Sequence, residues 1–202
     1  MTARRYSSTS PEQLATAVFD VAAEQGLDNA SVREVAKRAG VSIGAVQHHF
    51  ATKDAMLDYT LRGLLDRLLH HVADLPDDTD ARTGLTALLG ELLPLDERRT
   101  REAHVRTAFA VRAVTSVSLA EIRRGAMFAL RSRVSAYLLE LGADEVEISA
   151  ALLLGAVEGL ALDALSGTPP HSHDYLRHAL DHQIELAVRG PRGGARTIEL
   201  AS

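Results

Sequence analysis

Residues 39–57 read AGVSIGAVQHHFATKDAML. A Gly-Val-Ser turn precedes a short run, two adjacent histidines, a Phe, and a Lys-Asp pair that opens an apolar segment. As a metal site the stretch is poor. Adjacent helical residues such as His48 and His49 point about 100° apart, whereas ligand pairs on a helix are spaced i, i+4. Two capped helices around a glycine turn account for more of the residues. Ser31 with Glu34 three positions on is a capping box, the start signal of a helix. Val32, Val35, Ala36 and Ala39 give that helix its apolar face, and it stops at Gly40. Ser42 caps the next helix, which runs to about His48.

This is a helix-turn-helix pattern. Ala36 is small where the helices cross, and Gly40 supplies a turn at positive φ. Val41 and Val46 point into a small core that Phe50 seals. Ser42, Ile43, Ala45, Gln47 and His48 remain for the outer face, and Gly44 lets the backbone approach another surface closely. A helix of this kind fits the DNA major groove.

The pattern continues outward as helix. Upstream, Ser10, Pro11 and Glu12 give an N-cap, a proline at the first helical position and an early acid. Leu14, Ala15, Val18, Phe19, Val21 and Ala22 follow at helical spacing up to Gly26. Residues 1–9, with Arg4 and Arg5, read as a disordered tail. Downstream, Thr52 caps a fourth helix carrying Met56, Leu57, Leu61, Leu64, Leu65, Leu68 and Leu69, which runs to a loop at 75–80. Helices are expected over 80–94, 97–115, 118–141, 145–166 and 172–189, then a Gly-rich mobile tail over 190–202. No alternating strand pattern occurs, so the expected fold class is all-α.

Composition agrees. The 202 residues are 46% hydrophobic, 24% charged and only 4% aromatic. Leu, Ala and Val supply the apolar content, which favours helix. No cysteine is present, which excludes disulfides, thiolate metal sites and a Cys nucleophile. The N-terminal residues show no apolar secretory segment, and 148–165 contains Glu158 and Asp163, too polar for a good membrane span. A cytoplasmic protein with no membrane partner is expected. The net charge is −5, unevenly spread: residues 1–53 hold six Lys/Arg against five Asp/Glu, the rest sixteen against twenty-two. A near-neutral head could dock on DNA while an acidic body is kept off it.

The segment SVREVAKRAGVSIGAVQHHFATKDAML (31–57) resembles the DNA-binding head of the TetR family of transcriptional regulators. The resemblance implies a three-helix head over 10–52, and a helical ligand-binding and dimerisation body over 53–189. It implies a ligand-responsive regulator, most commonly a repressor, that binds a palindromic double-stranded operator as a homodimer and is released by a small-molecule effector. Ile43, Gly44, Ala45, Gln47 and His48 would lie along the groove, with Arg33 facing DNA from the preceding helix. His49 and Lys53 would meet phosphates, while Ser31 and Thr52 would offer helix N-termini to them. The family usually has Tyr where this chain has Gln47, so the operator sequence does not carry over.

The segment 145–166 is apolar nearly all round, which calls for burial on two sides. Leu152, Gly155, Gly159 and Leu162 there, with Tyr175, Leu176, Leu180 and Ile184 of the last helix, are the expected four-helix dimer contact. Residues 93–114 resemble a subgroup of the family in which a similar stretch opens the sixth helix. His104, Phe109, Arg112, Met127, Phe128, Arg131, Tyr137 and Glu158 mix apolar walls with polar groups, as ligand sites do. His178 and His182 have i, i+4 spacing and His171 and His173 lie close by, yet no acid or thiol cluster completes a metal site. No metal, no cofactor and no catalytic residue is expected. Two other classes stay open: a helical interaction protein whose head does not read DNA, and a small helical enzyme, although no G-x-S-x-G, H-E-x-x-H or P-loop pattern is present.

Overall fold

The computed structural model describes residues 9–73, 79–167 and 171–190. The expected tails at 1–9 and 190–202 and the loop at 75–80 lie almost wholly outside them. Among the described residues every regular element is helical. In chain order these are α1 (Pro11–Gln25), α2 (Val32–Ala39), α3 (Ile43–His49), α4 (Lys53–Ala73), α5 (Ala81–Gly90), α6 (Glu97–Ala113), α7 (Val117–Glu140), α8 (Val146–Ser166) and α9 (His173–Arg189), with a 3-10 turn at Leu27–Asn29.

Local chemistry places the helix starts. Ser10, Ser31, Ser42, Asp80, Asp96 and Ser172 each accept a hydrogen bond from the backbone N–H three residues on. Each thereby satisfies one of the N–H groups that a helix start leaves unpaired. The expected capping box is only half formed. The Ser31 N–H donates to the Asn29 carbonyl at 2.7 Å, and the Glu34 carboxylate turns to Lys37 at 3.4 Å instead. α5 ends at Gly90, short of the expected 94. Pro94 disfavours helical backbone at Leu93, and the chain turns there while keeping Leu92, Leu93 and Leu95 buried.

Two buried clusters hold the molecule. The first joins Leu14, Val18 and Val21 of α1, Val35 and Ala36 of α2 and Val46 of α3 to Met56, Leu57, Leu61 and Leu65 of α4. It continues into Val105, Phe109 and Ala113 of α6 and Leu119 and Ile122 of α7. The head therefore shares its core with the body. The second cluster packs α5, α7, α8 and α9 around Leu85, Leu88, Leu130, Val134, Leu138, Leu153 and Val157. α4 belongs to both, through Leu61 and Leu65 in the first and Leu68 in the second. α8 is long and apolar enough to cross a membrane by length and composition. Here Ala150, Leu153, Leu154, Val157 and Ala161 are buried against the rest of the chain.

Candidate functional site

The head presents one prepared edge. Gly40 adopts the left-handed conformation at φ 69°, and its N–H closes α2 on the Ala36 and Lys37 carbonyls. Val41 then donates to the Ala36 carbonyl at 2.9 Å, the tight C-terminal closure a glycine permits. α3 leaves at once, capped by Ser42, whose hydroxyl accepts from Ala45 N–H at 3.1 Å. Val46 and Ala36 are buried and Phe50 covers them. α3 is thus held from beneath by side chains and from its start by a cap.

Its other face is open. Ile43 is 46% exposed, unusual for isoleucine. Gly44, Gln47 and His48 are exposed and Ala45 is half-buried. A Cβ at Gly44 would meet nothing nearer than the Ser42 hydroxyl at 3.8 Å, so the helix surface is low there. Arg33 on α2 is exposed, with no ion pair among the described residues. His49 is half-buried, its ring edge against His48 at 5.3 Å between centroids. The Lys53 ammonium donates to the Asp28 carbonyl at 3.1 Å, which ties the start of α4 to the turn after α1. Ser31 and Thr52 hydroxyls cap their own helices, accepting from Glu34 and Ala55 at 3.2 and 3.0 Å.

A second feature lies in the body. α4, α6, α7 and α8 border a half-open cavity of about 340 Å³, with exposed Val111, Val114 and Leu162 at its rim. Leu61, Leu65, Leu92, Ala110, Val111, Met127 and Leu162 form apolar walls, and Arg106, Thr107, Arg123 and Glu158 are the polar groups. Arg123 and Glu158 pair at 2.6 Å. Arg106 donates one hydrogen bond, to the Leu92 carbonyl at 2.6 Å. Burial pushes the Arg106 guanidinium below the usual arginine range, against weaker attraction from Glu102, Glu158 and Glu91.

Of the residues expected at a ligand site, only Met127 and Glu158 line this cavity. Phe109 is buried in the core shared with the head. His104 is exposed, and Arg112 reaches Asp28 at 3.8 Å. The Tyr137 ring sits over Gly84. Phe128, 73% exposed, and Arg131 lie in an outer groove with Leu139, Ile148 and Leu152. Arg106 and Arg123 carry the cavity's positive charge, and no local sequence signal marks either of them.

The expected dimer contact also divides. Leu152, Gly155, Gly159, Leu162 and Tyr175 are exposed. Leu176, Leu180 and Ile184 are buried within the chain's own second core, so their stripe of α9 is spent inside the protomer. α8 thus buries one face internally and leaves Ile148, Leu152 and Leu162 uncovered on the other.

Head and body are joined through α6. One face of α6 supplies Arg106, Thr107 and Ala110 to the cavity, and another places Val105, Phe109 and Ala113 in the head's core. Arg101 pairs with Asp20 of α1 at 2.7 Å and lies over the Phe19 ring at 5.6 Å. The Tyr59 hydroxyl of α4 donates to Glu12 of α1 at 2.6 Å, and Ser118 of α7 donates to Asp58 of α4 at 3.0 Å. Among the described residues no group of three or more His, Asp or Glu gathers as for a metal.

Comparison with known proteins bears on both features. Residues 14–60 match the model for bacterial regulatory proteins of the tetR family, and residues 81–189 match the C-terminal domain of BetI-type transcriptional repressors. The transcriptional regulator PksA of Bacillus subtilis is 28% identical over 180 residues, covering 86% of this chain and 87% of that protein. The crystal structure of a transcriptional regulator from Rhodococcus sp. Rha1 superposes with a TM-score of 0.86 at 57% identity, covering 90% of this chain and 97% of that one. A regulator from Saccharomonospora viridis, solved in complex with choline, shares the fold with a TM-score of 0.80 at 21% identity, covering 87% and 95%.

Proposed function

The chain belongs to the TetR family of bacterial regulatory proteins, and on that premise we propose that it is a homodimeric, cytoplasmic repressor released from a palindromic operator by a small molecule. It is a DNA-binding transcriptional regulator, and no catalysis is assigned to it. The open face of α3, low at Gly44 and rigid beneath, carries this reading. Gln47 and His48 read base edges, Gln47 with the two-bond geometry that suits adenine. Ile43 and Ala45 give apolar contact, and Arg33 reads or braces from α2. Ser42, His49, Lys53 and the helix starts at Ser31 and Thr52 meet the backbone phosphates; for Lys53 this means leaving the Asp28 carbonyl.

The uncovered face of α8 supports a second copy as its partner. Gly155 and Gly159 let a symmetry-related helix come close, and Leu152 and Leu162 bury in the contact. Two heads related by that axis enter major grooves on one side of the duplex, about 34 Å or a multiple of it apart. Residues 10–52 act as the reading head and 53–189 as the effector-binding and dimerisation body.

The effector occupies the cavity in the body. A ligand that reshapes the cavity moves α6 and α4. α6 carries α1 with it through Arg101 and Phe109, and α4 carries the head through Met56 and Leu57. A preference of a few kcal/mol for the state whose heads misfit DNA is enough to empty the operator.

The test is a selection of genomic fragments bound by the purified protein. The expected result is one enriched motif with two-fold symmetry. Enrichment without symmetry would overturn the dimeric reading, and no enrichment would overturn DNA reading itself.

A further inference from the structure

The cavity is chemically lopsided. Its ionisable lining is two arginines against one glutamate. Glu158 is taken by Arg123 at 2.6 Å. Glu102 and Glu91, the other carboxylates near Arg106, face other cations: Arg98 reaches them at 2.9 and 2.7 Å, and Arg99 also reaches Glu91 at 3.6 Å. Among the described residues Arg106 has no ion pair and donates only to the Leu92 carbonyl. A guanidinium carries five N–H donors in a planar fork. A half-buried charge with so few partners favours a ligand that supplies the opposite charge. Around it the walls are leucine, valine, alanine and methionine.

We propose that the effector is an apolar molecule carrying one carboxylate, anchored by Arg106 with its apolar part along α4 and α8. This rests on the body being the effector-binding part. A carboxylate matches the guanidinium fork with two parallel bonds and neutralises the single surplus charge. A phosphate monoester, at about −1.5 to −2, would overshoot it.

A cation is the wrong sign, and the walls oppose it too. Quaternary ammonium ligands are held by aromatic cages. Among the described residues no aromatic side chain lines this cavity. The one carboxylate available to a cation is Glu158, and capturing it would strand Arg123. The choline seen in a 21%-identical relative therefore does not transfer. Metabolites of this class include medium-chain and branched carboxylic acids.

The test compares three probes of equal chain length on the full-length protein by titration calorimetry: decanoate, decanamide and decyltrimethylammonium. Release of genome-selected DNA is read in the same samples. Decanoate is expected to bind at least tenfold more tightly than decanamide, with the ammonium weaker still. R106Q is expected to erase the difference between acid and amide, and R106K to keep part of it. Circular dichroism checks that both variants fold, and the wild-type series stands without them. Equal or tighter binding of the amide or the ammonium overturns the proposal, as does no binding by any probe while DNA affinity is intact. Decanoate binding without DNA release upholds the carboxylate assignment and overturns release by ligand.

Discussion

Leu152→Glu should separate the proposed dimer while leaving the protomer folded. Leu152 is 70% exposed in the single chain and sits mid-helix in α8, beside Gly155. Glu has nearly the helix propensity of Leu, and no core contact of consequence is lost. Fully burying a leucine is worth about 1.5–3 kcal/mol. The exposed 70% then corresponds to about 1–2 kcal/mol per protomer, gained when a partner covers it. A two-fold interface uses the residue twice, about 2–4 kcal/mol in all. That is roughly 30- to 700-fold in the dimer dissociation constant. It is a lower bound, because the variant also places two carboxylates near one axis. Sedimentation equilibrium measures the constant, and thermal melting by circular dichroism in the monomeric range checks the fold. A dissociation constant unchanged within about threefold would refute α8 as the interface.

Other consequences follow from single contacts. Gly40→Ala places a Cβ at φ 69° in open space, so only backbone strain opposes it, about 1–2 kcal/mol. The melting temperature should fall by roughly 2–8 °C. Arg101→Met removes an ion pair whose members are 42% and 30% exposed, so stability should change by less than about 1 kcal/mol. The fold-loss of DNA affinity on adding effector should nevertheless shrink, since α6 would grip α1 less firmly; an unchanged loss excludes this link. The Tyr59 hydroxyl bond, ahead of bonds from the backbone and Ser10, holds the Glu12 carboxyl below the usual carboxylate range. Its stabilisation is complete above that range and is lost as pH falls through the lowered value. Glu12→Gln should therefore flatten the acid limb of melting temperature against pH, and a limb of unchanged slope would assign acid lability elsewhere.

The head was legible because its signals are local. Ser-cap, apolar stripe, Gly40 and Ser42 each act within a few residues, and the helix limits fall within a residue or two of expectation. The body was legible as helices but not as a site. α6 holds five arginines, and nothing in their spacing tells Arg106, facing the cavity, from Arg98, facing solvent and glutamates. α7 carries apolar and charged residues all round, so Phe128 looked as suitable for a wall as Met127. Periodicity marks Leu176, Leu180 and Ile184 as one apolar stripe, expected to face a second chain, and in the structure they are buried in the protomer. It could not say against what, because a stripe facing the protomer's own α5 and one facing a second chain have the same spacing.

The open edge of α3 is proposed to read DNA. Fluorescence anisotropy with a labelled duplex from the genomic selection, against a scrambled duplex, at two salt concentrations, tests it most directly. Tight binding to the selected duplex is expected, falling steeply with salt as phosphate neutralisation requires. A loss of discrimination between duplexes is also expected in Gln47→Ala, by about 1–3 kcal/mol. Equal affinity for the selected and scrambled duplexes, or discrimination untouched by Gln47→Ala and by His48→Ala, would contradict that reading.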